Sequence, residues 1–149
     1  MIVLQATTEA LQVVLADAVT TNQLQCYASW RDITTTAYTP GNTAANTNNT
    51  TDVGMVPAPG ASTQRVIDYA SVYNADTVAA TVTIKLDVSG TEKILWKGSL
   101  AAGFKVEFVE GAGFRVLDAN RVVTGVGTPG ADGTNGVAGT GVTGTAVID

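Results

Sequence analysis

The sequence of 149 residues contains no histidine and only one cysteine, Cys26. A Ser-His-Asp or Cys-His catalytic arrangement needs an imidazole base, so the absence of histidine excludes both kinds of site. One cysteine cannot form a disulfide within the chain, and no cluster of side chains has metal-ligand spacing. We therefore expect no metal, and we interpret Cys26, which lies in an apolar run, as a small buried hydrophobic residue.

Charged residues are also scarce, at 14% of the chain compared with roughly 25% in an average soluble domain. The net charge is −5 and Lys and Arg form no cluster, whereas nucleic-acid binding needs cationic contacts to phosphates. The first residues carry no basic charge, and no apolar run approaches the roughly 20 residues of a membrane span. We expect no nucleic-acid partner, no membrane partner and no signal peptide, and therefore synthesis in the cytoplasm.

Short segments that alternate between polar and apolar residues recur along residues 1–120. The clearest is residues 81–88, and Ser89-Gly90-Thr91 predicts a hairpin from it into residues 93–97. Glu110-Gly111-Ala112-Gly113 predicts a second tight turn. Eight or nine short strands without a convincing helix favour an all-β domain over residues 1–120, an antiparallel β-sandwich or jelly roll.

Three segments are less regular. Residues 10–16 are interpreted as a strand, with a helix over residues 7–17 as the competing interpretation. Residues 39–52 contain no large apolar side chain and are predicted to form a long exposed loop. Residues 64–74 are apolar on both faces, which favours a central strand or one whose outer face meets a partner chain. Here one face is predicted to carry Ile67, Tyr69 and Tyr73, and the other Val66, Ala70 and Val72.

We find no constellation that indicates catalysis or cofactor binding. The carboxylates are scattered over strand faces and turns, and Gly111-Ala112-Gly113 lies between two strands rather than before a helix, so it is read as a hairpin turn. Three aromatic side chains could stack on a sugar ring or pack in the core or an interface: Tyr69, Tyr73 and Trp96. No catalytic, cofactor-binding or metal-binding residue is predicted.

Residues 121–149 form a linker followed by a glycine-rich tail. Glycine recurs at every third position from Gly127 to Gly139, and after a break two further triplets begin at Gly141 and Gly144. This period is the sequence requirement of a collagen-like triple helix. One chain cannot form that structure, so the period predicts a homotrimer; a flexible or extended arm is the alternative. Pro129 is the proline within these triplets. The predicted trimer or assembly contacts are Gly127, Pro129, Gly130, Gly133, Gly136 and Gly139 in the tail, with Tyr69 and Tyr73 in the domain.

Three segments carry a resemblance to a known group of proteins: residues 31–36 (RDITTT), 57–67 (PAPGASTQRVI) and 71–77 (SVYNADT). They resemble small structural proteins of tailed bacteriophages, which often carry Gly-X-Y repeats after a β domain. The resemblance covers about residues 25–120 and consists of strand and turn phrases, so it transfers no site residue. It implies a virion component, either a capsid decoration (cement) protein or a fibre or tail module.

Three functions follow as hypotheses. The first is a trimeric cement protein in the virion, which clamps the major capsid protein or another virion protein without chemistry. The second is a tail-fibre, baseplate or head-fibre module whose tail begins a shaft. The third is a carbohydrate-binding β-sandwich that uses an exposed aromatic face.

Overall fold

The computed structural model describes residues 1–124, and this part of the chain is all-β, without a helix. Two antiparallel sheets contain all of its strands. The predicted all-β class is confirmed, and two antiparallel sheets are consistent with the predicted β-sandwich. The ten strands are β1 (Ile2–Leu4), β2 (Glu9–Leu15), β3 (Gln25–Ile33), β4 (Tyr38–Asn46), β5 (Val53–Val56), β6 (Gln64–Tyr73), β7 (Ala80–Val88), β8 (Thr91–Leu100), β9 (Lys105–Val109) and β10 (Gly113–Leu117).

The larger sheet, called sheet A, has the strand order β10-β9-β6-β3-β4, and the smaller sheet B has the order β5-β2-β7-β8. The short strand β1 also belongs to sheet A, because it pairs with residues 65–67 of β6 while β9 pairs with residues 69–73. Strand β6 is therefore central, as its two apolar faces predicted. Strand β5 lies at the edge of sheet B, in agreement with Pro57 and Pro59 directly after it.

The two predicted hairpins are present. Ser89 and Gly90 connect β7 to β8, and both have positive φ angles, 53° and 82°. Two consecutive positive φ values are typical of the type I′ turn, whose twist matches that of the flanking strands. The second hairpin joins β9 to β10, and Gly111 and Gly113 both have positive φ there.

One hydrophobic core lies between the sheets. Sheet B contributes the alternating side chains Leu11, Val13 and Leu15 of β2, so the competing helix over residues 7–17 is wrong. Cys26 is buried in this core, as expected, and burial raises the pKa of its thiol to about 12. From sheet A the inward side chains include Ala28, Trp30, Ala70, Val72, Val106 and Phe108.

The predicted loop over residues 39–52 is wrong for most of its length, because residues 38–46 form strand β4 beside β3. Residues 39–46 of β4 carry no large apolar side chain, because the Trp30 side chain of β3 occupies the core space beside them. The indole of Trp30 lies against Gly41, and the next half-buried positions of β4 carry the small residues Thr43 and Ala45, opposite Ala28 and Cys26. Residues 38–46 are thus a strand whose inner side is covered by a side chain of the adjacent strand β3.

The predicted faces of β6 are also wrong in their N-terminal half. Ser29 pairs with Tyr69 and Trp30 with Ile67, so Asp68 is an extra residue in a β-bulge. A bulge reverses the alternation of side chains on either side of it. Ile67 therefore points into the core together with Ala70 and Val72, instead of sharing the face of Tyr69 and Tyr73.

The turn after β6 is fixed by two buried polar side chains. Asn74 donates its amide hydrogens to the carbonyls of Val78 and Leu100 and accepts the N–H of Asp76. The Asp76 carboxylate accepts backbone N–H groups from Thr20, Thr21, Asn22 and Thr77 at 2.7–3.1 Å. These hydrogen bonds outweigh the opposing effect of desolvation and lower the pKa of Asp76 to about 2.

The described chain ends at the β10 edge of sheet A. Leu117 forms a bridge with Val123, and the N–H of Thr124 donates to the carbonyl of Val116. The predicted contact residues of the tail, from Gly127 to Gly139, lie outside the described residues. Residues 1–124 contain no helix long and apolar enough to span a membrane.

Candidate functional site: the tyrosine face

Three tyrosines lie on the side of sheet A that points away from the core, and we call this surface the tyrosine face. Tyr27 projects from β3, and Tyr69 and Tyr73 project from β6. Tyr27 pairs with Ser71, so the small Ser71 side chain lies between the two tyrosines of β6. The sequence predicted Tyr69 and Tyr73 on one face, and sheet A does place them there together.

Trp96 is separate from this surface. It lies on β8 in the other sheet, where it is partly buried against the core and pairs with Ile84. The three aromatic side chains that could have formed one stacking surface therefore do not meet. Tyr27 is the third aromatic residue of the tyrosine face. Its position opposite to the apolar side of β3 could be recognised from the alternation of residues 24–31.

A charged network occupies the β9 side of the tyrosine face. Glu107 is only 5% exposed, although it points away from the core. Its carboxylate accepts hydrogen bonds from Tyr69 Oη at 3.0 Å and Arg115 Nε at 2.8 Å, and it forms an ion pair with Lys105 Nζ at 2.7 Å. Lys105 also donates to Tyr69 Oη.

The pKa values of this network reflect its pairing. Burial opposes ionisation of Glu107, but hydrogen bonds from Lys105, Arg115 and Tyr69 outweigh it and hold the pKa of the carboxyl below its ordinary value. Burial likewise opposes the charge of Lys105, while hydrogen bonds to Glu107 and Tyr69 raise its pKa. Both groups are therefore charged near neutral pH and satisfied by one another, which indicates a positioning rather than a catalytic role.

A second ion-pair group lies beside the β-bulge of β6. Arg31 Nη2 lies 2.9 Å from Glu110 Oε2, and Nη1 of the same guanidinium pairs with Asp68, the bulged residue of β6. These three residues are each about one-third exposed in their side chains. Exposed pairs of this kind typically contribute less than about 1 kcal/mol, so we expect only a small effect of this group on the stability of the domain.

The β4 side of the face has a different character, because an open depression of about 450 Å³ lies there. Five polar side chains line this depression, and none of them forms a hydrogen bond with another described residue. They are Gln25, Tyr27, Asn46, Ser71 and Tyr73. Ala44 forms part of the floor. Sequence reasoning missed Asn46 and Ala44 because the segment that contains them was expected to be a loop.

The two tyrosines at the margins of the depression are held from outside it. The ring of Tyr27 packs against that of Tyr69, with centroids 6.2 Å apart and an interplanar angle of 49°. The guanidinium carbon of Arg121 lies 5.0 Å from the ring centroid of Tyr73. Each ring is thus supported by a contact that leaves its hydroxyl free.

Residues 1–124 contain no group of three potential metal-ligating side chains. No protein-family model matches the chain, and neither a curated protein nor a solved structure matches it.

Proposed function

We propose that the chain is a non-enzymatic structural protein of a tailed-bacteriophage virion, a trimeric decoration (cement) protein that stabilises the capsid. The observation that carries this proposal is strand β4. It forms one edge of sheet A, runs for nine residues and contains no charged side chain. A long uncharged edge invites pairing with a strand of another chain, which soluble proteins usually prevent with charges, prolines or short strands. The proline of β4, Pro40, lies near the start of the strand and leaves residues 42–46 without such protection.

The outward backbone groups of β4 can be assigned from its neighbours. The N–H of Thr47, just after β4, donates to the carbonyl of Leu24, just before β3. The backbone N–H and C=O groups of odd-numbered residues in β4 therefore point toward β3. The backbone groups of even-numbered residues then point away from β3. Pro40 occupies one of these positions, where its missing N–H removes no hydrogen bond of the sheet. As far as residues 1–124 are concerned, the N–H groups of Asn42, Ala44 and Asn46 remain available for an added strand.

The remaining edges of the described sheets are protected in the usual ways. Strand β8 carries Glu92, Lys93 and Lys97, strand β5 has four residues, and the five-residue β10 carries Arg115. The contrast singles out β4 as the edge suited to a virion neighbour such as the major capsid protein. The low overall charge of the chain agrees with a protein that works in an assembly.

The trimer in this proposal rests on the glycine triplets after residue 126. The described chain ends beside β10, at the opposite edge of sheet A from β4. Self-association through the tail and attachment through β4 would therefore use different sides of the domain. Neither process requires a catalytic group.

Reconstitution on virions that lack this protein tests the proposal. Added wild-type protein should bind in hundreds of copies and raise the temperature at which the particles release DNA. Asn42→Lys places a charge on the β4 edge and should weaken binding, whereas Ser99→Lys on the edge of sheet B should bind like the wild type. Equal binding by both variants would exclude the β4 edge, and unchanged particle stability with bound protein would overturn the cement function.

A fibre, head-fibre or baseplate module is the second candidate. The glycine triplets directly after the domain favour it, because they could begin a shaft. Sedimentation should give a trimer for both candidates, so copy number is the discriminating measurement. A few to dozens of copies per virion, with loss of host adsorption when the protein is absent, would favour the fibre module.

A further inference from the structure

We infer that the depression between Tyr27 and Tyr73 is a binding site for an uncharged saccharide. Its volume of about 450 Å³ falls within the roughly 300–1,000 Å³ of ordinary small-ligand sites. The two tyrosine rings supply apolar surface for the C–H faces of a sugar, and their amphipathic character suits a ligand that is both apolar and hydroxylated.

The polar lining matches the hydroxyl groups of a sugar. Gln25 and Asn46 each offer an amide donor and acceptor, and Ser71 offers a hydroxyl. Because none of these side chains bonds to another described residue, a ligand would not have to break a protein hydrogen bond to reach them. The neighbouring Tyr69 and Glu107 differ in this respect, since both are already bonded within the charged network.

The walls of the site are pre-organised, which lowers the entropy cost of binding. Tyr69 supports the ring of Tyr27, and Lys105 and Glu107 fix the hydroxyl of Tyr69 in turn. Arg121 supports Tyr73 and also donates to the carbonyl of Gly103 at 3.3 Å. Contacts outside the depression therefore position both rings, and among the described residues neither hydroxyl has a hydrogen-bond partner.

The charge of the lining selects the class of ligand. Among residues 1–124, no charged side chain lines the depression. An anionic sugar such as a sialic or uronic acid would find no cation among the lining side chains. The two cations beside the tyrosines are already engaged, Lys105 with Glu107 and Arg121 with the ring of Tyr73, so the site favours neutral rings. The site is also independent of attachment through β4, because a strand added at that edge would extend sheet A and leave its outer face open.

An NMR titration of the full-length protein with uncharged oligosaccharides tests the inference. Maltotetraose, cellotetraose, chitotetraose and mannotetraose are added separately at millimolar concentration, with oligosialic acid and a proline-rich peptide as comparison probes. At least one neutral saccharide should shift the backbone amides of residues 25–27, 44–46 and 71–73. Failure of every neutral saccharide to do so overturns the inference, as does a response at these residues to the peptide or the anionic sugar alone.

Variants of the responding protein locate the site. Ala44→Leu fills the depression from an exposed strand position, and Tyr27→Ala removes one wall; each should weaken binding on the order of tenfold or more. The control is Tyr38→Ala, which removes a tyrosine that is 64% exposed near the β3–β4 turn, outside the depression. If Ala44→Leu keeps the wild-type fold and the wild-type affinity, the depression is not the saccharide site.

Discussion

Gly41 lies against the ring of Trp30, its partner across strands β4 and β3, so closely that a Cβ atom at residue 41 would be 2.7 Å from the indole. Trp30 is only 7% exposed and belongs to the core, so its ring cannot turn outward without opening a cavity. The guanidinium of Arg65 limits its movement further, since its central carbon lies 4.8 Å from the ring centroid. Glycine is therefore required at residue 41 by a close approach and not by a backbone angle.

Gly41→Ala should reduce the free energy of unfolding by about 1–3 kcal/mol, because the added methyl forces the buried indole to shift. Urea denaturation followed by tryptophan fluorescence measures this loss. Gly54→Ala is the matched control, since a Cβ on this strand glycine of β5 meets no atom within 4 Å. An equal loss in both variants would mean that the indole contact is unimportant and that only the strand backbone responds.

The stability of the domain should fall in acid partly through Asp76. The hydrogen bonds from the N–H groups of Thr20, Thr77, Asn22 and Thr21 depress the pKa of this carboxyl in the folded state to about 2, below the roughly 3.9 of an unfolded chain. A group of this kind stabilises the fold fully above its unfolded pKa, and the contribution disappears as the pH falls through the folded pKa. Wild-type stability should therefore decline between about pH 4 and pH 2.

Asp76→Asn should lower stability at pH 7 and flatten this acid dependence, because the amide cannot carry the charge that the backbone N–H groups stabilise. Urea midpoints at pH 7, 4, 3 and 2 provide the comparison. Asp17→Asn alters an exposed aspartate for which residues 1–124 provide no hydrogen-bond partner, and it should leave the profile unchanged. A profile for Asp76→Asn as steep as that of the wild type would contradict the role assigned to Asp76.

Glu107→Gln should destabilise the domain by about 1–3 kcal/mol, because Lys105 and Arg115 would lose the charge that both of them contact. The loss stays at this level because Arg115 is 41% exposed and is partly screened by water. Glu110→Gln, on the same face but in a more exposed pair with Arg31, should cost less than about 1 kcal/mol. Similar losses in the two variants would show that burial of Glu107 does not strengthen its interactions.

The hairpins could be predicted from the sequence because their information is local. Alternation in β7 and the Ser89-Gly90 turn lie within a few residues of each other, and no distant contact is needed to interpret them. The all-β class and the central position of β6 also followed from such patterns. In each case the polarity of a side chain indicates whether that residue is buried or exposed.

Other features depended on residues far away in the chain. Strand β4 looked like a loop because Trp30 supplies its core volume, and the bulge at Asp68 left no mark on the alternation of β6. Lys85 is a charged residue in the regularly alternating strand β7, yet its side chain is only 5% exposed, and its ammonium forms ion pairs with Asp52 and Glu92. The depression beside Tyr27 is lined in part by residues 44–46 of β4, so it could not be predicted while β4 was expected to be a loop.

The pairing of the first two strands has a consequence for the time course of folding. Strand β1 has its partner at residues 65–67, and β2 pairs with β5 and with residues 82–88 of β7. The hairpins β3–β4, β7–β8 and β9–β10 need only short loop closures, whereas both strands at the start must wait for distant partners. Pulse-labelled hydrogen exchange should protect Ile84 before Leu4, and the reverse order would contradict this sequence of events. During synthesis, residues 2–15 would thus leave the ribosome well before their partner strands and would be among the last to pair in the sheets.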